Sequence, residues 1–274
     1  MNKNLRMKEI LNTLRLRSVV NIKELKQRLN VSEMTIRRDL NELSRDQVVK
    51  LIPGGAILQP VNDLGSEEES KYHITHDGNV HIREKINIGR KAASLIGPYD
   101  TVILDIGSTT EYVAKFLRED IILTTVCFTL NVLVDIYRKK NCRVIFPGGY
   151  LHDETLMFES IEGTRLIQRT RADKAFVSAA GVHHELGVTT VYPYELETKQ
   201  AIMKSAKTNI LVVDSSKFGK TKSVYFADLS EFDMIITDEG IPQEYVKAIH
   251  DLGIKLHATC PCAESDIASK EGLL

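Results

Sequence analysis

The stretch that most constrains this chain is residues 31–43, VSEMTIRRDLNEL, because it has the pattern of a short capped helix. Ser32 is a favourable N-cap residue, since its hydroxyl can accept a hydrogen bond from an amide of the first turn. Thr35 and Arg38 fall on a face that can reach outward. Apolar residues recur at the i, i+4 and i+7 spacing of one helix face, namely Ile36, Leu40 and Leu43.

A second amphipathic helix is predicted directly upstream, with Asn21 as its N-cap and Glu24 three residues on. Its apolar residues are Ile22, Leu25 and Leu29. Two helices joined by so tight a turn form a helix-turn-helix, with residues 32–45 offered to the major groove of DNA. The alternative is that both helices belong to a helical bundle with a solvated basic face.

Residues 48–57 form an apolar, β-prone run that Gly54 and Gly55 interrupt, which is typical of the hairpin wing of a winged helix. We predict that DNA binding depends on three outward side chains of the recognition helix and that two further residues contact phosphates. The first group is Thr35, Arg37 and Arg38, and the second is Ser32 and Lys50.

The charge of the chain is unevenly distributed, although its formal net charge is only −1. Residues 1–56 hold 12 Lys and Arg against 6 Asp and Glu, whereas the remaining residues hold 24 against 31. A basic head attracts DNA phosphates, and an acidic body favours solubility. The distribution therefore favours a modular DNA-binding regulator.

A chain of 274 residues is too long for one winged helix, so a second domain is expected. No window is as long and apolar as a membrane span, and the first residues lead straight into a helix rather than a signal peptide. Four cysteines are too few for a disulfide framework and suit a reducing compartment. We expect a cytoplasmic protein with no membrane partner.

Beyond the wing, we predict a linker at residues 59–80, an α/β domain at residues 81–262 and a tail at residues 263–274. Apolar β-branched runs alternate here with helical segments, which favours a mostly parallel sheet covered on both faces. The predicted strands are 101–106, 121–126, 142–146, 174–178, 210–213, 234–237 and 254–257. The predicted helices are 109–117, 130–139, 195–207 and 243–251, preceded by a helical stripe from Ile82 that ends at Gly97-Pro98.

In such a sheet, ligands bind at the carboxyl ends of the strands, where four loops carry suitable residues. The hydroxyls and free amides that follow Gly107 favour a phosphate, Lys217 adds a cation, and Asp214 can accept from sugar hydroxyls. The alternatives are an ordinary N-cap and a polar turn with a surface lysine. We predict a small anionic polyol bound by Asp105, Gly107, Ser108, Thr109, Thr110, Gly148, Gly149, Gly181, Glu195, Asp214 and Lys217.

Cofactor signatures are missing from the sequence. There is no Gly-x-Gly-x-x-Gly motif and no Walker A loop, so no dinucleotide or nucleoside triphosphate is expected. His257, Cys260 and Cys262 lack the spacing of a four-ligand metal site, so no metal is expected either. An aldose–ketose isomerase remains conceivable, because carboxylates and a lysine supply the groups that such a reaction uses.

Several motifs together resemble the DeoR family of bacterial sugar-metabolism regulators. In the head these are residues 32–40, SEMTIRRDL, and Gly54-Gly55-Ala56. Over residues 83–240, the sensor-like motifs are DIGSTT at 105–110, FPGG at 146–149, KAF at 174–176, ELETK at 195–199 and DSSKFG at 214–219. The resemblance implies a winged helix-turn-helix followed by a sensor domain that is similar in fold to ribose-5-phosphate isomerase and binds phosphorylated sugars. The Asp-Gly-Ala-Asp and Lys-Gly-rich signatures of that isomerase are absent.

Three positions depart from the pattern of this family. Pro53 stands where the family usually has His, and Asp46-Gln47 lacks the usual Gly at the end of the recognition helix. Cys127-Phe128 stands where Thr-Asn is common, and Phe128 is expected to narrow or reshape the ligand pocket.

The resulting hypothesis is a two-domain transcriptional regulator, a repressor of a carbohydrate-metabolism operon. Its expected partners are a double-stranded DNA operator, a phosphorylated sugar effector and at least one further copy of itself, because one winged helix buries too little surface for operator affinity. One alternative is a phosphosugar isomerase that carries a DNA-binding module. Another is a structural DNA-associated protein.

Overall fold

The computed structural model describes residues 80–260 without interruption. Before them it describes residues 19–29, 31–45, 49–52 and 54–58, and singly residues 3, 6, 7, 9, 10, 13 and 74. The chain divides into two compact units, residues 1–70, here called the head, and residues 71–274, here called the sensor unit. Nearly all of the predicted linker and the whole predicted tail lie outside the described residues, as do Asp46, Gln47 and Pro53.

The head contains the predicted helix-turn-helix and wing. Helices α1 (Ile22–Leu29) and α2 (Glu33–Arg45) are followed by strands β2 (Val49–Ile52) and β3 (Gly55–Leu58), and β3 also pairs with β1 (Val19–Asn21). All pairs in this small sheet are antiparallel. The predicted caps are confirmed, because Asn21 Oδ1 accepts from Lys23 N at 2.8 Å and Ser32 Oγ accepts from Thr35 N at 3.1 Å.

The described residues of the head share one hydrophobic core. The three apolar residues predicted on each helix are buried in this core. They pack with residues of the small sheet and with Ile10, a helical residue that precedes the sheet. The members of this core are Ile10, Val20, Ile22, Leu25, Leu29, Ile36, Leu40, Leu43, Val49 and Ala56. Burying these faces leaves the opposite face of α2 to solvent.

The sensor unit is built on a seven-stranded sheet in which every pair of neighbouring strands is parallel. The strands are β4 (Thr101–Leu104), β5 (Leu123–Cys127), β6 (Cys142–Ile145), β9 (Lys174–Val177), β12 (Asn209–Val212), β14 (Met234–Asp238) and β15 (Lys255–Thr259). Their order in the sheet is β15-β14-β12-β9-β4-β5-β6. The predicted mostly parallel sheet is confirmed.

Helices cover both faces of this sheet, which explains why its central strands are largely apolar and buried. The helices are α3 (Ile82–Ser94), α4 (Ser108–Lys115), α5 (Leu130–Ile136), α6 (Ile161–Arg169), α7 (Leu196–Ser205) and α8 (Gln243–Asp251). One core contains residues of α3, α4 and α5, and the other contains residues of α6, α7 and α8. Among the described residues, no helix is long and apolar enough to cross a membrane.

Two small antiparallel assemblies and helix α6 were not predicted. Strands β10 (Gly181–His183), β11 (Gly187–Thr190) and β13 (Val224–Ala227) form one sheet, and β7 (Tyr150–His152) and β8 (Met157–Glu159) form a hairpin. Segments of three or four residues are too short for their side-chain alternation to be recognised in a sequence.

Phe128 lies directly after β5, and its position differs from what the sequence led us to expect. Its side chain is buried in the hydrophobic core together with Met157 of β8, and it does not line the ligand cleft described below. Its carbonyl accepts a hydrogen bond from Phe158 N at 2.7 Å, so it anchors the hairpin.

Candidate functional site

The candidate ligand cleft lies where the strand order of the large sheet reverses. From β4 the chain continues to β5 and β6 on one side, and it then returns to β9 on the other side of β4. The loops that leave β4 and β9 therefore diverge, which opens a crevice at the carboxyl ends of the strands, where ligands bind in sheets of this kind. The residues that line this crevice are Ile106, Gly107, Ser108, Thr109, Ser178, Ala179, Ala180, Thr190, Val191, Glu195 and Lys217.

Gly107 allows the β4 loop to pass close to the β9 loop. Its φ is +152°, and a Cβ atom there would lie 2.7 Å from Ser178 Oγ. Helix α4 begins directly after it, so amides that have no partner within the helix face the cleft together with Ser108 and Thr109. The helix dipole adds roughly half a positive charge at this end, which favours an anion.

Lys217 is brought to the cleft by a turn of 3-10 helix at Ser215–Lys217, directly after β12. Asp214 caps this turn, because its Oδ1 accepts from Ser216 N at 3.1 Å. After the turn, Gly219 N donates to Val182 O at 2.9 Å, which fixes the loop against β10. The turn therefore places a cation at the wall of the cleft.

A buried ion-pair cluster lies at the same end of the sheet. Lys199 Nζ is 2.5 Å from Asp105 Oδ2 and 3.8 Å from Glu195 Oε2, and it donates to Ser178 O at 3.1 Å. Its side chain is only 1% exposed. Lys199 was not among the predicted site residues. Its spacing of four residues from Glu195, which places both on one helix face, was the available signal.

Glu195 is the carboxylate that both belongs to this cluster and lines the cleft. Burial raises its pKa, and this effect is opposed by Lys199 and by the Thr190 hydroxyl, which donates to Glu195 Oε2 at 2.5 Å. The raised pKa makes the protonated form more accessible than in water. Glu195 can therefore accept a hydrogen bond from a ligand hydroxyl or, when protonated, donate one.

The structure brings five of the predicted effector-binding residues to one cleft and places six elsewhere. Gly107, Ser108, Thr109, Glu195 and Lys217 line it. The others do not, and their contact with a ligand stays a prediction: these are Asp105, Thr110, Gly148, Gly149, Gly181 and Asp214.

Three of these six residues have a clear structural role. Thr110 Oγ1 donates to Asp105 O and Gly107 O, at 2.7 and 2.8 Å, and so fixes the β4 loop. A Cβ atom on Gly149 would lie 2.2 Å from Glu159 O in the β7–β8 hairpin. One on Gly181 would lie 2.6 Å from Lys220 O. Both glycines permit close approach of backbones.

In the head, α2 carries three of the five predicted DNA-contacting residues, namely Thr35, Arg37 and Arg38. Arg37 and Arg38 are exposed, and so is Met34, which sequence reasoning did not single out. Thr35 is half-buried, and its hydroxyl lies 2.9 Å from Ser32 Oγ. Lys50 lies on β2, opposite Ile57 of β3. Their contacts with DNA stay predictions.

Asp39, next to these arginines in the sequence, faces the opposite way. It is buried, and its two carboxylate oxygens accept from Nε and Nη2 of Arg6, at 2.5 and 3.1 Å. The hydrogen bond to Asp39 and the negative charge of that carboxylate raise the pKa of Arg6, so the pair is ionised. This pair joins α2 to the residues that precede the small sheet.

Two family models match the chain. Residues 80–239 match the DeoR C terminal sensor domain, and residues 6–60 match the DeoR-like helix-turn-helix domain. Within the part of the chain that the structure describes, no group of three or more His, Cys, Asp or Glu side chains is arranged to hold a metal ion.

Similar curated proteins carry the names of regulators. The deoxyribose operon repressor of Escherichia coli K12 is 34% identical over 208 residues, which cover 76% of this chain and 80% of that protein. The HTH-type transcriptional regulator GolR of Listeria innocua is 32% identical over 213 residues, which cover 77% and 81%.

Solved structures resemble the chain more distantly. Ribose 5-phosphate isomerase A from Methanocaldococcus jannaschii has a TM-score of 0.36 at 13% identity, covering 49% of this chain and 53% of that one. The eIF2B beta structure from Chaetomium thermophilum has a TM-score of 0.44 at 16% identity, covering 65% and 60%. The chain thus spans somewhat more than half the length of these structures.

Proposed function

Because this chain belongs to the DeoR family of transcriptional regulators, we propose that it represses a carbohydrate-metabolism operon under the control of a phosphorylated sugar. In this proposal α2 reads the operator, and a sugar phosphate bound in the cleft changes the affinity of the head for DNA. A cytoplasmic location is part of the proposal, supported by the three described cysteines, which are all free thiols. The isomerase alternative is not favoured, since the similar proteins are named as regulators.

One observation carries the assignment of the effector. The start of α4, the Lys217 side chain and the Glu195 carboxylate line the same cleft. The first two favour a phosphate, and Glu195 suits a hydroxyl and would repel a second phosphate when ionised. A phosphorylated polyol satisfies both requirements, whereas an unphosphorylated sugar satisfies only one.

Replacing Lys217 by alanine is expected to weaken the binding of ribose 5-phosphate roughly 10- to 150-fold, because a hydrogen bond to a charged group contributes about 1.5–3 kcal/mol. The weaker binding of ribose should hardly change, since ribose has no phosphate. Calorimetry on the full-length protein measures the affinities of the unaltered protein and of Lys217→Ala for ribose 5-phosphate and for ribose. Lys220→Ala is the matched control, because Lys220 is an exposed lysine of the same loop that does not line the cleft. Equal affinity for ribose and its phosphate would contradict the proposal.

Replacing Arg38 by alanine is expected to weaken specific DNA binding by about 1–3 kcal/mol, because an arginine on the outward face of α2 would read a base. The DNA is a duplex that the unaltered protein selects from a random-sequence library, and gel-shift titrations compare it with unselected duplex. Arg118→Ala, an exposed arginine of the sensor unit, is the control. Undiminished binding of Arg38→Ala to the selected duplex would remove this residue from the DNA interface.

The working species is proposed to be at least a dimer. One winged helix offers a small surface to DNA, and pairing two heads on two half-sites raises their effective concentration. Sedimentation at micromolar concentration should therefore give a multiple of the 30.9 kDa chain mass. A single 30.9 kDa species both with and without the selected duplex would contradict this.

A further inference from the structure

We propose that the hairpin of β7 and β8, residues 150–159, transmits the binding of a sugar phosphate in the cleft to the chain segment that leads to the head. The inference rests on the proposed function, because it concerns how the cleft controls DNA binding. Three sets of contacts support it: from the cleft to one turn, from that turn to the hairpin, and from the hairpin to Ile74.

The first set links the cleft to two tyrosines. Val191 and Glu195 line the cleft at the two ends of a short segment that contains a turn of 3-10 helix, Pro193–Glu195. Glu195 N donates to Tyr192 O at 3.1 Å, which closes this turn. A ligand that contacts Glu195 therefore acts on a compact segment that also carries Tyr192 and Tyr194.

The second set links Tyr194 to the hairpin. The rings of His152 and Tyr194 are stacked, with centroids 3.6 Å apart and planes only 6° from parallel. The Tyr194 hydroxyl lies 3.1 Å from the hydroxyl of Thr155, a fully buried residue of the hairpin turn. A stack and a hydrogen bond fix Tyr194 in both position and direction, so a shift of the turn displaces the hairpin.

The third set links the hairpin to the segment before the sensor sheet. Glu154 O, next to Thr155 in the sequence, accepts a hydrogen bond from Ile74 N at 2.8 Å, and Ile74 is buried. Ile74 is the first described residue after Leu58, the last residue of the head's sheet. Adjacent residues of one turn thus contact Tyr194 on one side and Ile74 on the other.

The hairpin turn contains a residue with a strained backbone. Leu156 has a φ of +54°, in the left-handed region that residues other than glycine rarely occupy. Its carbonyl accepts from Leu130 N at 2.8 Å, which holds this conformation against the start of α5. Strained residues of this kind persist when surrounding contacts enforce them, and they are frequent in switch regions.

The test separates binding of the effector from the response to it. The variants are Thr155→Val and Tyr194→Phe, which each remove one hydroxyl of the hydrogen bond, and the double variant His152→Ala/Thr155→Val, which also removes the stack. Tyr150→Phe is the matched control, because Tyr150 is an exposed tyrosine of the same hairpin. Calorimetry gives the affinity for ribose 5-phosphate and 2-deoxyribose 5-phosphate, and gel shifts give the affinity for the selected duplex with and without each sugar phosphate.

In the unaltered protein, the sugar phosphate should change the affinity for the selected duplex about 5- to 150-fold. In the double variant this ratio should fall to less than about twofold, while the affinity for the sugar phosphate without DNA and the affinity for DNA without sugar phosphate stay unchanged. Thr155→Val and Tyr194→Phe should each lower the ratio, and combining them should lower it no further, because they remove the same bond. Tyr150→Phe and Thr155→Ser, which retains the hydroxyl, should respond normally.

A normal response of the double variant would overturn the inference. So would a loss of sugar phosphate affinity together with the response, because the hairpin would then be part of the binding site itself. The mild variants Tyr194→Phe and Thr155→Ser decide the question if the double variant fails to fold. If neither sugar phosphate binds the unaltered protein, the proposed function fails first and this inference fails with it.

Discussion

Replacing Lys199 by methionine is expected to lower the free energy of unfolding of the sensor unit by about 3–5 kcal/mol. Methionine fills a similar space but removes the cation that lies 2.5 Å from Asp105 Oδ2. The Asp105 carboxylate has no exposed surface, so it would stay buried without a compensating charge. Its other oxygen, Oδ1, has no hydrogen-bond partner among the described residues, which adds to this dependence on Lys199. Urea unfolding followed by circular dichroism measures the effect.

Two comparisons separate this effect from the loss of any lysine. Lys207→Met removes a lysine that pairs with Asp173 at 2.8 Å but is 73% exposed, so its urea unfolding should stay close to that of the unaltered protein. Adding Asp105→Asn to Lys199→Met should recover part of the loss, because removing both charges avoids the uncompensated carboxylate. A Lys199→Met protein as stable as Lys207→Met would show that the buried pair does not stabilise this fold.

Replacing Arg6 by methionine is expected to destabilise the head strongly. Asp39 is buried, and Arg6 supplies both hydrogen bonds that its carboxylate oxygens accept in the described contacts. Removing one partner of a buried pair costs about 3–5 kcal/mol. A domain of this size is marginally stable, so such a loss removes much of its stability. The variant should lose affinity for all duplexes, and circular dichroism should show a lower melting transition assigned to the head.

Lys3→Met is the matched control for this prediction. Lys3 forms a pair with Glu42 of α2 at 2.7 Å, but both side chains are largely exposed, so the change should cost less than about 1 kcal/mol. Arg38→Ala offers a second contrast, because it should weaken binding to the selected duplex while leaving the melting transition in place. An Arg6→Met head that melts normally would contradict the assigned role of the pair.

The sequence predicted the large sheet well because its periodicity is strong and continuous. Helix α8 has the predicted bounds, residues 243–251, and all seven predicted strands of the large sheet are present with small shifts at their ends. Apolar runs such as residues 234–237 are buried on both faces of the sheet, and a continuous apolar run of this length is typical of a strand in a parallel sheet. The β7–β8 hairpin and the β10-β11-β13 sheet were missed because each of their strands is short.

For the ligand site, topology was predictable and side-chain direction was not. Parallel strands bring their carboxyl ends to one edge, so the loops after β4, β9 and β12 could be placed together. The sequence cannot tell a hydroxyl that faces the cleft, such as Ser108, from one that fixes the loop, such as that of Thr110. Lys199 was missed because a helical lysine is usually solvated, and burial is decided by tertiary packing.

The DNA-binding helix shows the same limit. Arg37, Arg38 and Asp39 are consecutive charged residues, yet the two arginines are exposed and the aspartate is buried. A helical projection places Asp39 near the apolar face, but its partner Arg6 is distant in sequence, so the pair could be identified only from the structure.

The location of the cleft at the reversal of strand order has an evolutionary consequence. Its walls come from loops that follow β4, β9 and β12 and from the segment before α7, so they contribute little to the hydrogen-bonded ladder of the sheet. Substitutions in these walls can change which small molecule fits while the ladder and the two helical layers persist. Proteins with this architecture can therefore acquire new ligand specificities one loop at a time, while the scaffold that supports the loops stays the same.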